Sequence, residues 1–291
     1  MKRLIVNADD FGLTRGVNAG VARAFKAGIL TSATIMANGD AFEDAVEVAR
    51  SSQGLGIGCH LSAVGGRPVA SPRHVDSLLD SGGMLPATLG QLMIKLARGQ
   101  VRSLDIEHEF RAQVERVVAA GIRPTHLDSH KHTHTHPHVM RALARVAREF
   151  AIGAVRNPFE SIIAPVQAGA TARAKPTVYL KQYALSAAIS LRAPSFKRLA
   201  REYGLRTPDH FFGLRLTGLL DAEAIRSLIK SSKQGTTELM CHPAVYDDEL
   251  ERARTRLKRA REQELEALTD PSVRRLIDEQ GIKLVSYREL G

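Results

Sequence analysis

The sequence predicts an α/β fold: a distorted (β/α) TIM-like barrel forming a single domain over residues 1–291. Three observations carry this. Short apolar strands alternate with helical stretches along the whole chain, the pattern of a parallel sheet with helices outside it. Six or more such strands fit, and each ends on a polar residue. Asp9, Asp10, His60, His130, Arg156 and His242 all fall at those strand ends, where a barrel gathers its reactive groups. A doubly wound open sheet is the second choice.

Lys2 to Ala8 reads as a buried strand, closed by the turn Asp9-Asp10-Phe11-Gly12. Val17 to Phe25 has helical spacing and stops at Gly28. Ala33 to Met36 is a second strand, leading through Asn38-Gly39-Asp40 into a helix over Phe42 to Ala49. Leu55 to Cys59 is the third strand, with His60 at its end and a glycine- and proline-containing loop from Gly65 to about Pro86. Helical patterns follow at Leu89 to Leu96 and Asp105 to Ala119, the second stopped by Gly121 and Pro124. Thr125 to Asp128 is the fourth strand, and Pro137 opens the next helix. Ala151 to Val155 is a fifth strand, followed by Arg156 and a basic helical insertion at about 159–210. Asp221 to Ile229 is helical, and Thr236 to Cys241 is a strand closed by His242-Pro243. A charge-rich solvated helix with a Leu stripe at Asp248 to Leu268, a helix at Ser272 to Glu279 and a strand at Lys283 to Ser286 complete the chain.

Composition narrows the function classes. Hydrophobic residues at 44% and charged residues at 25% are ordinary for a soluble protein with a sizeable core. No apolar run is long enough to span a bilayer. The opening Met1-Lys2-Arg3-Leu4-Ile5-Val6 has the order of a signal peptide, but Asn7, Asp9 and Asp10 end the apolar run early. With only Cys59 and Cys241, a disulfide scaffold is not expected and a reducing cytoplasm is. The net charge of +10 favours an anionic partner. Eight basic residues from Arg173 to Arg206 face only Glu202 and Asp209 between Thr171 and His210. They lack the aromatic platforms or groove-reading motif of a nucleic-acid binder, so no nucleic acid is expected. A basic amphipathic surface near lipid head groups, at the inner membrane face, and a plain solvated helical face are the readings left. The oligomeric state is open, a homodimer included.

The exit of the fourth strand holds six of the eleven histidines. His126, His130, His132, His134, His136 and His138 are all at even positions, with Asp128 two residues ahead of His130. In extended backbone, side chains two apart share a side, so several imidazoles would face one point. Read alone, the run is also a solvated His-rich loop.

A catalytic metal site takes about three protein ligands and keeps an open position, commonly with His and carboxylate ligands. One Asp and two His from three strands meet that requirement. Adjacent aspartates on a turn point in different directions, so one can bind metal while the other stays free as a base. Read singly, Asp9-Asp10 is also turn or capping chemistry, and His60 and His242 are also core histidines. Alternation sends Cys59 and Cys241 to the opposite strand face, as small buried residues. No Gly-rich phosphate loop and no Gly-x-Ser-x-Gly elbow is present, which leaves a metal-activated water as the nucleophile. The rival readings are a metal phosphoesterase on the same barrel and a metal- or lipid-binding protein without turnover.

Four stretches resemble a known family in the same order: Asn7 to Leu13, Gly58-Cys59-His60-Leu61, Thr125 to His132, and Glu238 to Pro243. They are similar to the YdjC-type carbohydrate deacetylases, relatives of chitooligosaccharide deacetylase, across residues 2 to 290. The basic insertion and C-terminal helices further resemble the hopanoid-biosynthesis-associated branch. The resemblance implies a distorted (β/α) barrel with one divalent metal ion per chain, zinc or magnesium. Asp10, His60 and His130 match its metal ligands, Asp9 its general base and His242 the histidine that protonates the leaving amine. Arg156 matches an arginine that holds the base in the wider polysaccharide-deacetylase group. Asp128, His132 and His134 are expected behind the ligands or against substrate. The implied substrate is an N-acetylated sugar, or an N-acetylglucosaminyl hopanoid lipid in the named branch.

Overall fold

The computed structural model describes residues 1–160 and 169–290, so residues 161–168 of the expected insertion lie outside the described residues. In chain order the strands are β1 (Lys2–Phe11), β2 (Ser32–Ile35), β3 (Gly56–Leu61), β4 (Leu127–Ser129), β5 (His210–Phe212), β6 (Gly235–Cys241) and β7 (Lys283–Leu284). They form one parallel sheet in the order β4-β3-β2-β1-β6-β5, with β7 also on β1. The sheet curls. Bridges Leu127↔Val155 and Ala154↔Arg206 carry the pairing from β4 through the residues before Arg156 to the chain that enters β5. These bridges stand where a fifth strand at Ala151 to Val155 is expected. Arg206 and His210, at the tail of the expected insertion, both take part in the pairing.

Helices cover the sheet: α1 (Arg15–Ala27), α2 (Phe42–Ser51), α3 (Leu89–Ala97), α4 (Ser103–Ala119), α5 (Pro137–Glu149), α6 (Ala170–Ala174), α7 (Pro176–Ser190), α8 (Ala193–Glu202), α9 (Ala222–Ser231), α10 (Asp248–Arg252), α11 (Ala260–Thr269) and α12 (Pro271–Glu279). Their starts follow local chemistry. Thr14, Thr88, Asp221 and Asp247 cap α1, α3, α9 and α10 by accepting a backbone N–H, and Pro137 starts α5. The charged stretch Asp248 to Leu268 is not one solvated helix. It breaks between α10 and α11, and Arg261 and Glu264 of α11 are buried.

Period-two alternation separates the two faces of the sheet. Leu4, Val6, Ala8, Ala33, Ile35, Ile57, Cys59, Leu61, Leu127 and Leu239 enter the main apolar core. The intervening residues Asn7, Asp9, Thr34, His60, Asp128 and Glu238 are buried and bond to one another or to Arg156. A sheet buried on both faces usually reads as a continuous apolar run. Here one face carries a hydrogen-bonded polar layer instead, and the site is built from it.

Two local departures from the expected pattern shape the site. β1 runs through Asp9 and Asp10 to Phe11 rather than ending at Ala8, and its register against β2 shifts between Ala8 and Phe11. Asp10 sits at φ +63°, in the left-handed region that Asp tolerates better than most residues. After β4 the histidine run is not extended. It winds into a 3-10 turn over His130–Thr135, with Lys131 and His132 at φ +54° and +53°, so the even-numbered imidazoles diverge.

Candidate metal and catalytic centre

Asp10, His60 and His130 leave the carboxyl ends of β1, β3 and β4 and meet. Asp10 Oδ1 lies 3.5 Å from His60 Nε2 and 3.1 Å from His130 Nδ1, and the two nitrogens are 3.4 Å apart. Three ligands at about 2.1 Å from one ion, with angles between octahedral and tetrahedral, are separated by roughly 3.0–3.4 Å. One oxygen and two imidazole nitrogens therefore already stand at the spacing a divalent cation requires. His60 is oriented from behind, because its Nδ1 is 2.7 Å from Asp128 Oδ1 and Nε2 is left for a ligand. His130 is the most open member, its side chain 23% exposed.

Electrostatics agree with that donor set. The buried layer holds Asp9, Asp10, Asp128 and Glu238 against the guanidinium groups of Arg156 and Arg261. Burial would lower the His60 pKa, but the charges of Asp128 and Asp9 outweigh it and raise His60 to about 10. The imidazole thus carries a positive charge among the carboxylates of the buried layer. Burial would raise the Asp10 carboxyl, yet Arg261 and the two histidines hold it well below the usual carboxylate range.

Arg156, fully buried, is the hub of the second half of the site. It donates from Nη2 and Nη1 to the two oxygens of Asp9 at 2.6 and 2.7 Å, and from Nε to Glu238 at 2.8 Å. Its Nη1 also lies 2.7 Å from Asp128 Oδ2. Tyr287 donates its hydroxyl to the far oxygen of Glu238, whose carboxyl burial pushes up to about 7 against the pull of Arg156. The adjacent aspartates are divided between two arginines: Asp9 is held by Arg156, and Asp10 Oδ2 accepts from Arg261.

His242 leaves β6 one residue after Cys241, whose partner on β1 is Ala8, so His242 and Asp9 emerge side by side. Glu264 accepts the His242 backbone N–H at 2.6 Å and that of Gly218 at 2.9 Å. The buried His242 Nδ1 makes no hydrogen bond among the described residues and lies 3.7 Å from the Glu264 carboxylate. Arg261 and Glu264, three residues apart on α11, thereby secure Asp10 and His242 from one helix face.

Comparison with known proteins assigns the lineage. A family model described as YdjC-like protein matches residues 3–279. The chain belongs to the YdjC-like family. A carbohydrate deacetylase of Geobacillus stearothermophilus is 35% identical over 286 residues, 98% of this chain and 96% of that protein. A chitooligosaccharide deacetylase of Salmonella typhimurium strain LT2 is 31% identical over 291 residues, 99% of this chain and 98% of that protein. A crystal structure described as a putative cellobiose-phosphate cleavage protein from Enterococcus faecalis V583 has a TM-score of 0.79 at 27% identity, covering 100% of this chain and 99% of that one.

Within this YdjC-like chain, the structure groups the expected residues unequally. Asp9, Asp10, His60, His130, Asp128 and Arg156 form one bonded cluster, and His242 borders it through α11. His132 and His134 turn away from Asp10. His134 Nδ1 meets Ser129 Oγ at 2.6 Å, and His132 lies edge-on to the Phe211 ring. Burial pushes both pKa values down, His134 to about 4. Cys59 and Cys241 are buried on the core face, and burial raises their thiols. Three contributors escape a sequence reading, Arg261, Glu264 and Tyr287, and Glu238 enters it only as the first residue of a family stretch, with no role. Only the i, i+3 pairing of Arg261 with Glu264 beside the Leu stripe hints that a charged helix turns a polar face inward.

Proposed function

We propose that this chain is a metal-dependent carbohydrate N-deacetylase, a hydrolase that removes the acetyl group from an N-acetylglucosamine-type sugar. The observation that carries the reading is the division of Asp9 from Asp10. One aspartate faces two histidines at metal-ligand spacing, and its neighbour is held as a free base on Arg156. The printed names of the two relatives, a carbohydrate deacetylase and a chitooligosaccharide deacetylase, favour the same substrate class.

Asp10, His60 and His130 would hold the ion, zinc or magnesium, in one domain whose curled sheet closes as a distorted (β/α) barrel. A divalent cation there supplies Lewis-acid polarisation of the acetamide carbonyl and an activated water. Asp9 takes the proton as the water attacks the carbonyl carbon, with Arg156 fixing the direction of its lone pairs. His242 gives a proton to the amide nitrogen, the C–N bond breaks, and acetate and the free amine leave. Each acid–base partner of this kind is typically worth about 10²–10⁴-fold. Asp128 fixes the His60 ring, while His132 and His134, turned away from Asp10, pack behind the site on Phe211 and Phe196.

The finer reading is an N-acetylglucosaminyl hopanoid lipid as substrate, met at the cytoplasmic face of the membrane, with a chitooligosaccharide as the alternative. Acetate release is measured on chitobiose, free N-acetylglucosamine and an N-acetylglucosaminyl lipid, with and without chelator. Chelator-sensitive release from any of them supports the deacetylase, and preference for the lipid supports the branch. No release from the whole panel rejects the reading.

A further inference from the structure

The outward face of α7 is apolar where a solvated helix would be charged. Leu180, Tyr183 and Leu185 are 68%, 36% and 44% exposed, and Leu191 just beyond the helix is 84% exposed. Only Gln182 and Ser186 of its residues are buried. At about 100° per residue, Leu180, Tyr183, Ala184 and Ala187 share one stripe, which Leu191 continues. The surrounding charge has one sign. From Ser161 to Ala200 the sequence contains no Asp or Glu and six Lys or Arg. Arg173 is paired with Glu223, and Arg192 reaches Met93. Lys175, Lys181, Lys197 and Arg198 are exposed and form no ion pair among the described residues.

The position of α7 ties this face to the site. Gln182 donates to the Thr217 carbonyl at 2.7 Å, and Arg215 Nε donates to Ser186 Oγ at 3.3 Å. Both anchors belong to the segment that leaves the carboxyl end of β5, the end of the sheet that carries the metal cluster. Ile189 packs on Phe211, Leu214 and Met240, and the Phe211 ring centre is 5.7 Å from the Arg156 guanidinium carbon. α7 is therefore an outer wall of the catalytic end, with its apolar stripe turned away from the sheet.

We propose that α7 and Leu191 rest on an anionic bilayer surface, with Leu180, Leu191 and Tyr183 among the head groups and the exposed cations on lipid phosphates. The contact is peripheral, because no helix among the described residues is long and apolar enough to cross a membrane. A second copy of the chain fits less well. A two-fold contact would set one basic face against another, with no acid from Ser161 to Ala200 to offset the two sets of cations. The proposal deepens the glycolipid reading by naming the surface that would bring a membrane-embedded sugar to the catalytic end, yet vesicle binding does not depend on turnover.

The test is flotation of the full chain with phosphatidylcholine vesicles, with and without phosphatidylglycerol, at low and high salt. Each basic residue near an anionic surface is worth about fivefold in partition. At least a tenfold preference for the anionic vesicles is therefore expected, and it should shrink as salt screens it. Leu180→Glu combined with Leu191→Glu should cut partition about tenfold or more, with melting temperature and acetate release from a soluble sugar unchanged. Equal partition to both vesicles, no partition, or partition indifferent to the double substitution overturns the proposal. So does a concentration-dependent dimer that the same pair dissolves, which assigns the face to a second copy. Intact partition without acetate release from any sugar leaves the surface assigned and rejects only the deacetylase.

Discussion

Arg156 donates to both carboxylate oxygens of Asp9, at 2.6 and 2.7 Å, while its Nε reaches Glu238 at 2.8 Å. The planar fork sets the direction of the Asp9 lone pairs, a task an ammonium group performs poorly. Arg156→Lys is expected to keep the metal but to lower kcat about 10²-fold or more, because the base loses its orientation. Removing the charge altogether leaves buried Asp9 without its cation and takes one partner each from Asp128 and Glu238, and Arg156→Met should cost about 3–5 kcal/mol of stability. Metal content, kcat and urea midpoints of the two variants separate orientation from stability.

Asp9→Asn and His242→Ala address the proton transfers. Each should retain one metal ion per chain and lose about 10²–10⁴-fold in kcat. Neither residue belongs to the Asp10, His60 and His130 set, so metal retention distinguishes a lost base or acid from a lost ligand. Full turnover in either purified variant removes that residue from the mechanism.

Metal affinity should depend on pH. Despite burial, Asp128 and Asp9 raise the His60 pKa to about 10 in the metal-free protein. The stability supplied by the His60 proton is fully present below its ordinary value of 6.5 and is lost as pH rises through about 10. An ion bound at Nε2 must displace that proton, so affinity should rise about tenfold per pH unit from about pH 6 to about pH 8. Calorimetry in buffers of different protonation enthalpy should record about one proton released per ion. A pH-independent affinity contradicts the assignment of His60 as a ligand.

The protein should also lose stability in mild acid. Burial pushes His126 down to about 3 and His134 to about 4, so the unfolded chain binds protons that the folded one refuses. Stability therefore falls as pH drops below the ordinary histidine value of 6.5. Glu238, pushed up to about 7, works in the opposite direction between 4.5 and 7, as do the raised Glu109 and Glu160, but burial lowers His130, His132 and His136 as well. His126→Asn, which cannot take up the proton, should narrow the drop in urea midpoint between about pH 7 and about pH 5.

Gly58→Ala should be costly although its backbone is ordinary extended strand. A Cβ there would lie 2.4 Å from the nearest atom of the His126 ring, which is stacked on Tyr287 with centroids 3.5 Å apart. With the ring blocked from behind, overpacking of about 1–3 kcal/mol is expected, and β3 should carry His60 out of place. Partial rescue in the Gly58→Ala, His126→Ala double variant is the check on that cause.

The family resemblance supplied Arg156 as the residue that holds Asp9, whereas the sequence by itself determined the strand–helix alternation and the strand ends at Asp10, His60, His130 and His242. Those features are local. Period-two and 3.6-residue patterns, together with short motifs, are written in neighbouring residues, and each strand end follows from its own segment. Even there the alternation misled over His132 and His134, because Lys131 and His132 take left-handed backbone that composition does not announce. Tertiary structure alone decided the rest. Arg261 meets Asp10 across 251 residues of chain, Tyr287 meets Glu238 across 49, and α11 turns two charges inward where its composition reads as solvated. A buried charge is stable only beside its partner, and which charges become partners is fixed when the sheet curls and brings its far strands together.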